Sequence, residues 1–140
     1  MIYLDTSLLA AIFFREANAV ELVARIERMR QQRLMISAWT LTEMASVGGI
    51  KERTGVVDAV TRRTALATFQ RFVSAKLGLV EIEPGDFRTA AVLIDTPVAL
   101  RAGDALHLAV IRRLNARLAS LDRRLCEATD RLGIGRVELA

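Results

Sequence analysis

Cysteine and histidine are almost absent from this chain of 140 residues, which contains one of each. With Cys126 alone, neither a disulfide framework nor a cluster of thiolate metal ligands is predicted. Cys126 and His107 both lie in helical segments without supporting motifs, so a nucleophilic triad is not predicted either. The simplest interpretation of Cys126 is a small side chain that packs in a helix.

Proline and glycine are scarce as well, with two prolines and eight glycines, and the chain has no repeat or low-complexity tract. Nothing in it is typical of a linker, so residues 1–140 are predicted to form one domain. A domain of this size buries roughly two thirds of the surface of its unfolded chain, which allows a hydrophobic core. Gly133-Ile134-Gly135 follows a predicted helix instead of opening one, so a dinucleotide-binding loop is not predicted.

Long hydrophobic runs are also missing. No stretch reaches the roughly 18 uninterrupted apolar residues that a membrane-spanning helix needs. The apolar first segment, residues 1–14, is interrupted by Asp5 and carries no basic region, which argues against a signal peptide. We therefore expect a cytoplasmic protein without a membrane partner.

The positive charge of the chain comes from arginine. Its 18 arginines and 2 lysines stand against 16 acidic residues, for a net charge of +4. This charge is compatible with a polyanionic partner, although arginine-rich coding bias explains it equally well. A basic rim around an acidic pocket would suit a nuclease, because arginines hold phosphates while carboxylates hold metal.

Short β-favouring runs alternate with helical periodicity along the chain, which predicts an α/β fold with a parallel sheet between layers of helices. The predicted strands are Ile2–Asp5, Leu34–Ser37, Leu79–Ile82, Leu118–Leu121 and a short one near Val137–Leu139. The predicted helices are Ser7–Phe14, Ala17–Gln32, Thr40–Gly48, Val57–Leu77, Phe87–Ile94, Gly103–Leu114 and Arg123–Leu132. The third and fourth helices, joined through Gly48, Gly49 and Gly55, predict a helical hairpin beside the sheet, which we call the clip.

Four carboxylates stand at or near predicted helix starts: Asp5, Glu43, Asp104 and Asp122. Asp5 and Asp122 also directly end strands from opposite ends of the chain. In an open parallel sheet, ligands bind beyond the carboxyl ends of the strands where the strand order reverses, so these two aspartates could meet there. Each carboxylate has an alternative role in helix capping, and Thr40–Glu43 fits a capping box.

Two other acids serve as a comparison. Asp58 and Asp86 resemble the four carboxylates in standing near helix starts, but neither directly follows a strand. We assign them no chemistry.

Convergence of the four carboxylates would require bound protons or cations. Two unneutralised carboxylates about 5 Å apart repel each other by roughly 3 kcal/mol at an effective dielectric constant of about 20. Hard oxygen ligands favour Mg²⁺ or Mn²⁺. One or two such ions can lower the pKa of bound water and stabilise charge on a phosphodiester, so the four residues predict a metal site for phosphodiester cleavage.

Neighbouring polar side chains are candidates for supporting roles. Thr6, Ser7 and Ser120 lie beside the strand-end aspartates, where hydroxyls could orient metal-bound water or cap helices. Candidate phosphate contacts, for which a solvated surface is the alternative, are Arg101, Arg123 and Arg124.

Two further residues are better explained by packing. His107 shares a predicted helix face with Asp104, but a satisfied and partly buried histidine accounts for it better than a role at the pocket rim. Trp39 precedes the helix of Glu43, and core packing accounts for it better than base stacking.

Four segments together resemble the PIN-domain family: Met1–Ser7 (MIYLDTS), Glu43 within a helix, Gly103–Ala109 (GDALHLA) and Ser120–Leu125 (SLDRRL). Within that family, the chain resembles the VapC-type toxins of bacterial toxin–antitoxin pairs. The resemblance covers almost the whole chain, and the motifs occur in the family's order with suitable spacings.

The resemblance implies a Mg²⁺- or Mn²⁺-dependent endoribonuclease with a five-stranded parallel sheet. It also implies a homodimer, and a cognate antitoxin that blocks the active site. By the same analogy, Thr6 or Ser120 lies near bound water, and the catalytic and metal-binding positions are Asp5, Glu43, Asp104 and Asp122. Arg124 stands where many relatives carry a further carboxylate, which places a second metal ion in question more than the first.

Two other functions stay open. An aspartyl phosphotransferase or phosphatase would use Asp5 as its nucleophile, but such enzymes often need a second acid two residues on, where this chain has Ser7. A non-catalytic RNA-binding module would keep the fold without cleavage, although the presence of all four carboxylates argues against it. No base-reading motif indicates a particular RNA target.

Overall fold

The computed structural model describes residues 1–139, in which short strands alternate with helices. The strands are β1 (Ile2–Leu4), β2 (Leu34–Ser37), β3 (Gly78–Val80) and β4 (Arg117–Ala119). The helices are α1 (Thr6–Phe13), α2 (Ala19–Arg28), α3 (Ala38–Arg53), α4 (Ala59–Lys76), α5 (Pro84–Ile94), α6 (Ala102–Leu114) and α7 (Arg123–Arg131). None of these helices is long and apolar enough to cross a membrane.

The four strands form one parallel sheet in the order β3-β2-β1-β4. β1 pairs with β2 at Ile2 and Leu34, and with β4 at Leu4 and Ala119. The chain builds the sheet outward from β1 to β3 and then crosses to the other side of β1 to form β4. The strand order therefore reverses between β1 and β4, which is where a parallel sheet offers a ligand-binding crevice.

The predicted fifth strand is wrong. Within residues 1–139, the segment near Val137–Leu139 contributes only one isolated parallel bridge, between Arg136 and Leu118. Two backbone hydrogen bonds hold it, from Leu118 N–H to the Gly135 carbonyl at 2.9 Å and from Val137 N–H to the Leu118 carbonyl at 2.7 Å. Val137 and Leu139 then pack against the core. The apolar residues that suggested a strand are thus partly buried without a continued ladder, and the sheet has four strands within residues 1–139.

β1 is buried on both faces because helices cover each side of the sheet. Ile2 and Leu4 pack in the cluster that includes residues of α1, α2 and α4. Tyr3 packs in the opposite cluster, with residues of α6 and α7. Successive side chains of a strand point to opposite faces, so Tyr3 alone among these three faces the helix that carries His107.

The clip consists of α3 and α4, joined by a turn at residues 54–58 in which Gly55 has a φ of +77°. Gly48 lies inside α3, not at the junction that the sequence predicted, and so does Gly49. A Cβ atom at Gly48 would lie 3.2 Å from Arg62 Cγ and 3.3 Å from Phe14 Cζ. Close packing against α4 and the end of α1 therefore explains a glycine whose cost inside a helix is about 1 kcal/mol.

The two comparison acids have structural roles. Asp58 caps α4 by accepting a hydrogen bond from the Thr61 N–H at 2.7 Å. Asp86 is buried and accepts two hydrogen bonds from Arg113, each at 2.9 Å, and one from the Glu83 N–H at 2.8 Å. Burial alone would raise the pKa of Asp86, but the bonds from Arg113 and Glu83 outweigh it and lower that pKa below its ordinary value.

Replacing Arg113 should destabilise the fold, since Arg113→Met leaves the buried Asp86 charge unpaired at a cost of about 3 kcal/mol at neutral pH. Urea unfolding measures this loss, and Arg112→Met, which removes an exposed arginine of the same helix, is the control. The pKa of Asp86 is lowered in the folded wild type, so the pair contributes above the unfolded-state pKa and is lost as pH falls through the folded-state pKa. The variant's deficit should shrink on acidification, and a deficit equal at pH 7 and pH 3 would contradict the assignment.

Candidate active site

The site lies at the carboxyl ends of β1 and β4, where the strand order reverses. Asp5 follows β1 directly, and its backbone N–H donates to the carbonyl of Ala119, the last residue of β4, at 3.0 Å. β4 ends at Ala119, two residues earlier than predicted, so Asp122 does not follow it directly but stands three residues beyond its end, after Ser120 and Leu121. The predicted meeting of the two strand ends is thus present in the structure.

Asp5 is a helix cap and a buried carboxylate at the same time. It is the N-cap of α1, is 5% exposed, and accepts a hydrogen bond on Oδ2 from the Ser7 N–H at 3.3 Å. The same oxygen accepts hydrogen bonds from Ser7 Oγ at 2.6 Å and Ser120 Oγ at 2.8 Å. Capping therefore uses one oxygen of Asp5, and the other, Oδ1, lies 3.9 Å from His107 Nε2.

Glu43 reaches the same place from α3. The alternative role of Glu43 in a capping box at Thr40–Glu43 is excluded, because α3 begins earlier, with Ser37 as its N-cap, and the Thr40 hydroxyl accepts the Ser37 N–H at 3.3 Å. Glu43 therefore lies in the second turn of the helix. Its Oε1 accepts hydrogen bonds from Thr6 Oγ1 at 2.7 Å and from His107 Nε2.

The electrostatics of Glu43 favour its charged form. Burial by itself would raise the pKa of Glu43, but the hydrogen bond and charge of His107, together with the Thr6 hydroxyl, lower it below the ordinary value. The charged form of the Glu43 carboxylate is thus stabilised by His107 and Thr6.

Asp104 and Asp122 come from two helix starts. Asp122 is the N-cap of α7 and accepts from the backbone N–H groups of Arg124 at 2.9 Å and Leu125 at 3.2 Å. Asp104 is the third residue of α6, whose N-cap is Arg101. Burial, followed by the negative charges of Asp122 and Asp5, raises the pKa of Asp104 above its ordinary value. The structure therefore brings Asp104 within electrostatic range of other carboxylates, as the sequence predicted.

Three ligand atoms form the tightest part of the site. One carboxylate oxygen each from Asp5 and Glu43, and a ring nitrogen of His107, all lie within 4.8 Å of one another. Asp104 and Asp122 do not belong to this group of three among residues 1–139, but their charges act on the same pocket. A donor set dominated by carboxylate oxygens fits a hard divalent cation such as Mg²⁺ or Mn²⁺.

Gly103 allows α6 to begin close to Glu43. A Cβ atom at Gly103 would lie 3.3 Å from Glu43 Oε2 and 3.3 Å from Trp39 Nε1. Trp39 packs against the small cluster of Ala105, Leu106 and Ala109, in keeping with the predicted packing role. Its buried Nε1 has no hydrogen-bond partner within the described residues. A side chain at position 103 would therefore crowd Glu43 and Trp39 beside Asp104.

Predicted supporting residues lie around these carboxylates. The hydroxyls of Thr6 and Ser120 donate to Glu43 and Asp5, and their role toward bound water stays a prediction. The three candidate arginines are exposed at helix starts: Arg101 is the N-cap of α6, and Arg123 and Arg124 are the first residues of α7.

His107 and Tyr3 are the site residues that sequence reasoning underestimated. His107 has no exposed surface, as a satisfied histidine should, yet one of its partners is Glu43. Its Nδ1 lies 2.7 Å from the hydroxyl of Tyr3, a residue that the sequence presents only as part of an apolar strand. The available signal was the spacing of His107, three residues after Asp104 and hence on the same side of α6.

The protein is an α/β domain with an open parallel sheet. Its candidate site has carboxylates at the point where the strand order reverses, between β1 and β4. A family model of the PIN domain matches residues 2–131. The chain therefore belongs to the PIN-domain family, as its four sequence motifs indicated.

Solved structures share this fold. VapC20 from Mycobacterium tuberculosis, a sarcin-ricin loop cleaving toxin, is 19% identical with a TM-score of 0.70 over 91% of this chain and 95% of that chain. VapBC2 from Rickettsia felis, bound to a DNA fragment from its promoter, is 12% identical with a TM-score of 0.73 over 98% of each chain. PAE2754 from Pyrobaculum aerophilum is 21% identical with a TM-score of 0.66 over 99% of this chain and 88% of that chain. No curated protein sequence matches the chain.

Proposed function

We propose that this PIN-domain protein is a Mg²⁺- or Mn²⁺-dependent endoribonuclease, and that it is the toxin of a type II toxin–antitoxin pair. One observation carries the proposal: oxygens of Asp5 and Glu43 lie within 4.8 Å of each other at the switch point of the sheet. The charges of Asp104 and Asp122 act on the same pocket. The likeness in fold to VapC20, a sarcin-ricin loop cleaving toxin, supports the choice of substrate.

The four carboxylates would hold the metal. Asp5 and Glu43 each use one oxygen for hydrogen bonds to protein groups, which leaves Asp5 Oδ1 and Glu43 Oε2 for a ligand. The pKa of Asp104 is raised first by burial and then by its acidic neighbours, and a cation would relieve the repulsion among these groups. When bound, the ion would stabilise charge on the scissile phosphodiester and make a water molecule more acidic.

The chain's own residues would align the substrate. Arg101, Arg123 and Arg124 stand exposed beside Asp104 and Asp122, where they would contact RNA phosphates on both sides of the acidic pocket. Arginine can bind a phosphate through two parallel hydrogen bonds, which fixes its orientation as well as its position. We call these three residues the basic rim.

An antitoxin would compete for the same carboxylates. VapBC2 is a toxin–antitoxin complex of this fold, which supports a protein partner for this chain. An open acidic pocket is a natural seat for a basic side chain, because charge-assisted hydrogen bonds to carboxylates are among the stronger ones. We infer a homodimer whose pocket is crossed by the tail of a cognate antitoxin.

Asp5→Asn should abolish both metal binding and RNA cleavage while preserving the fold, because Asn caps a helix about as well as Asp but is a poorer ligand for a cation. Wild type should gain about 2.7 kcal/mol of stability when Mn²⁺ exceeds its dissociation constant a hundredfold, and the variant should gain little. Thermal unfolding with and without Mn²⁺, and cleavage of labelled RNA, measure the two effects.

Asp58→Asn is the matched control, since Asp58 caps α4 away from the pocket. If a folded Asp5→Asn protein still cleaved RNA, Asp5 would be a helix cap only and not a metal ligand. RNA binding by the wild type without cleavage in Mn²⁺ would favour the non-catalytic module, and a phosphorylated Asp5 would favour the phosphotransferase.

The basic rim should account for part of the salt dependence of RNA affinity. Changing Arg101, Arg123 and Arg124 to Gln should reduce the slope of log affinity against log salt by about 2, at roughly 0.7 per phosphate contact on single-stranded RNA. Binding is measured in the Asp5→Asn background, so that the RNA stays intact.

The control for the rim removes the same charge from the opposite edge of the sheet. Three exposed arginines lie near the amino end of β2. Arg28 is the last residue of α2, and Arg30 and Arg33 lie between α2 and β2. If this triple Gln variant lowered the slope as much as the rim variant, net charge and not the rim would govern binding.

Mn²⁺ should weaken inhibition by the antitoxin if a basic side chain of the antitoxin occupies the pocket. Nuclease assays of the toxin–antitoxin complex across a Mn²⁺ titration measure this competition, and light scattering of the same samples reports whether the toxin is a dimer. An inhibition constant independent of Mn²⁺ would show that the antitoxin blocks RNA entry instead.

A further inference from the structure

A buried hydrogen-bond chain leads from the sheet into the acidic pocket. Ser37 Oγ at the end of β2 lies 2.7 Å from the Tyr3 hydroxyl, which lies 2.7 Å from His107 Nδ1. His107 Nε2 then bonds to Glu43 Oε1. Ser37, Tyr3 and His107 have no exposed surface, so water does not compete for these bonds. These hydrogen bonds thus connect the buried core to Glu43, one carboxylate of the site.

The direction of the hydrogen atoms follows from the last bond. A carboxylate oxygen can only accept, so Nε2 of His107 must carry the hydrogen that it shares with Glu43. The other ring nitrogen, Nδ1, bonds to the Tyr3 hydroxyl: it accepts from Tyr3 in a neutral imidazole and donates to Tyr3 in an imidazolium. In either form Nε2 donates to Glu43, and both ring nitrogens are held by protein groups.

This chain determines which oxygen of Glu43 is available. Oε1 accepts from both His107 and Thr6, whereas Oε2 faces Gly103 at the start of α6 and has no hydrogen-bond partner within residues 1–139. Asp5 is held in the same manner, with Oδ2 bonded to Ser7 and Ser120. Both carboxylates are therefore fixed through one oxygen by donors of the protein itself.

We propose that His107 is a positioning residue for the metal site, which holds Glu43 Oε1 through its Nε2–H so that Oε2 alone is presented to the ion. Tyr3 supports it by bonding to Nδ1 and so fixing the orientation of the ring. This inference rests on the proposed function. It differs from direct ligation by His107, for which Nε2 would have to lose its hydrogen and leave Glu43, and Mg²⁺ and Mn²⁺ prefer oxygen ligands.

The hydrogen on Nε2 is directly observable, because His107 is the only histidine in the chain. In a ¹⁵N-labelled sample, the two ring nitrogens give signals that no other residue can produce. We expect Nε2 to carry a hydrogen both before and after Mg²⁺ is added to saturation. A hydrogen on Nδ1 alone, or loss of the Nε2 hydrogen on adding Mg²⁺, would overturn the proposal in favour of a purely structural or a directly ligating histidine.

Metal affinity tests the positioning role without reference to activity. Mn²⁺ binding, followed by electron paramagnetic resonance of the free ion, should weaken 10- to 100-fold in His107→Leu, the range found when a hydrogen-bond partner of a metal ligand is lost. His107→Gln, whose amide can still donate to Glu43, should recover part of this loss, and Tyr3→Phe should weaken binding to a smaller extent. Tyr3→Phe removes one oxygen only, so it keeps the test usable if His107→Leu fails to fold.

The matched control is Thr129→Val, which removes a fully buried hydroxyl that bonds to the Cys126 carbonyl in α7. It should bind Mn²⁺ as the wild type does. Wild-type affinity in folded His107→Leu and Tyr3→Phe, with binding lost in Asp5→Asn, would overturn the positioning role and leave the proposed function standing. Failure of the wild type itself to bind Mn²⁺ would instead overturn the proposed metal site, and the positioning role with it.

Discussion

The parallel pairing of β1 with β4 is the constraint on which the site depends. These strands are separated by more than a hundred residues, and their register places Leu4 beside Ala119. Because parallel strands end at the same edge of a sheet, the residues that follow them emerge together. Asp5 and Ser120 then make a hydrogen bond of 2.8 Å, and α1 and α7 start from the same edge. A shift in this register would separate the two halves of the site.

Helix capping and metal binding are compatible in this arrangement because a carboxylate has two oxygens. Asp5 caps α1 with Oδ2, while Oδ1 stays near His107. A cap at the end of a strand also aligns the helix start with the sheet edge, so capping places the side chain where the proposed metal site would use it. A structural role for such an aspartate therefore does not exclude a chemical one in this fold.

The core contributes to the site through Tyr3 and His107. Tyr3 lies in the middle of β1, an inner strand of the sheet, and His107 in the middle of a buried helix surface, and both side chains are fully buried. A polar pair in such a place is costly unless each group has a partner. Here the partners are Ser37 on one side and Glu43 on the other, so the requirement to satisfy buried groups also orients a carboxylate of the pocket.

The sequence by itself determined the class of the fold and the approximate place of four acids. Alternating β-favouring runs and helical periods are local patterns, and the β-favouring runs that precede Asp5 and Asp122 are visible in the chain. The start of α3 at Ala38 and the single bridge at Arg136 were decided by tertiary packing, because neither propensity nor period specifies how far an element continues against its neighbours. The partners of His107 were beyond sequence reasoning for the same reason: residues 3, 43 and 107 meet only after the sheet has formed. Local chemistry thus set which residues were available, and the pairing of distant strands decided which of them touch.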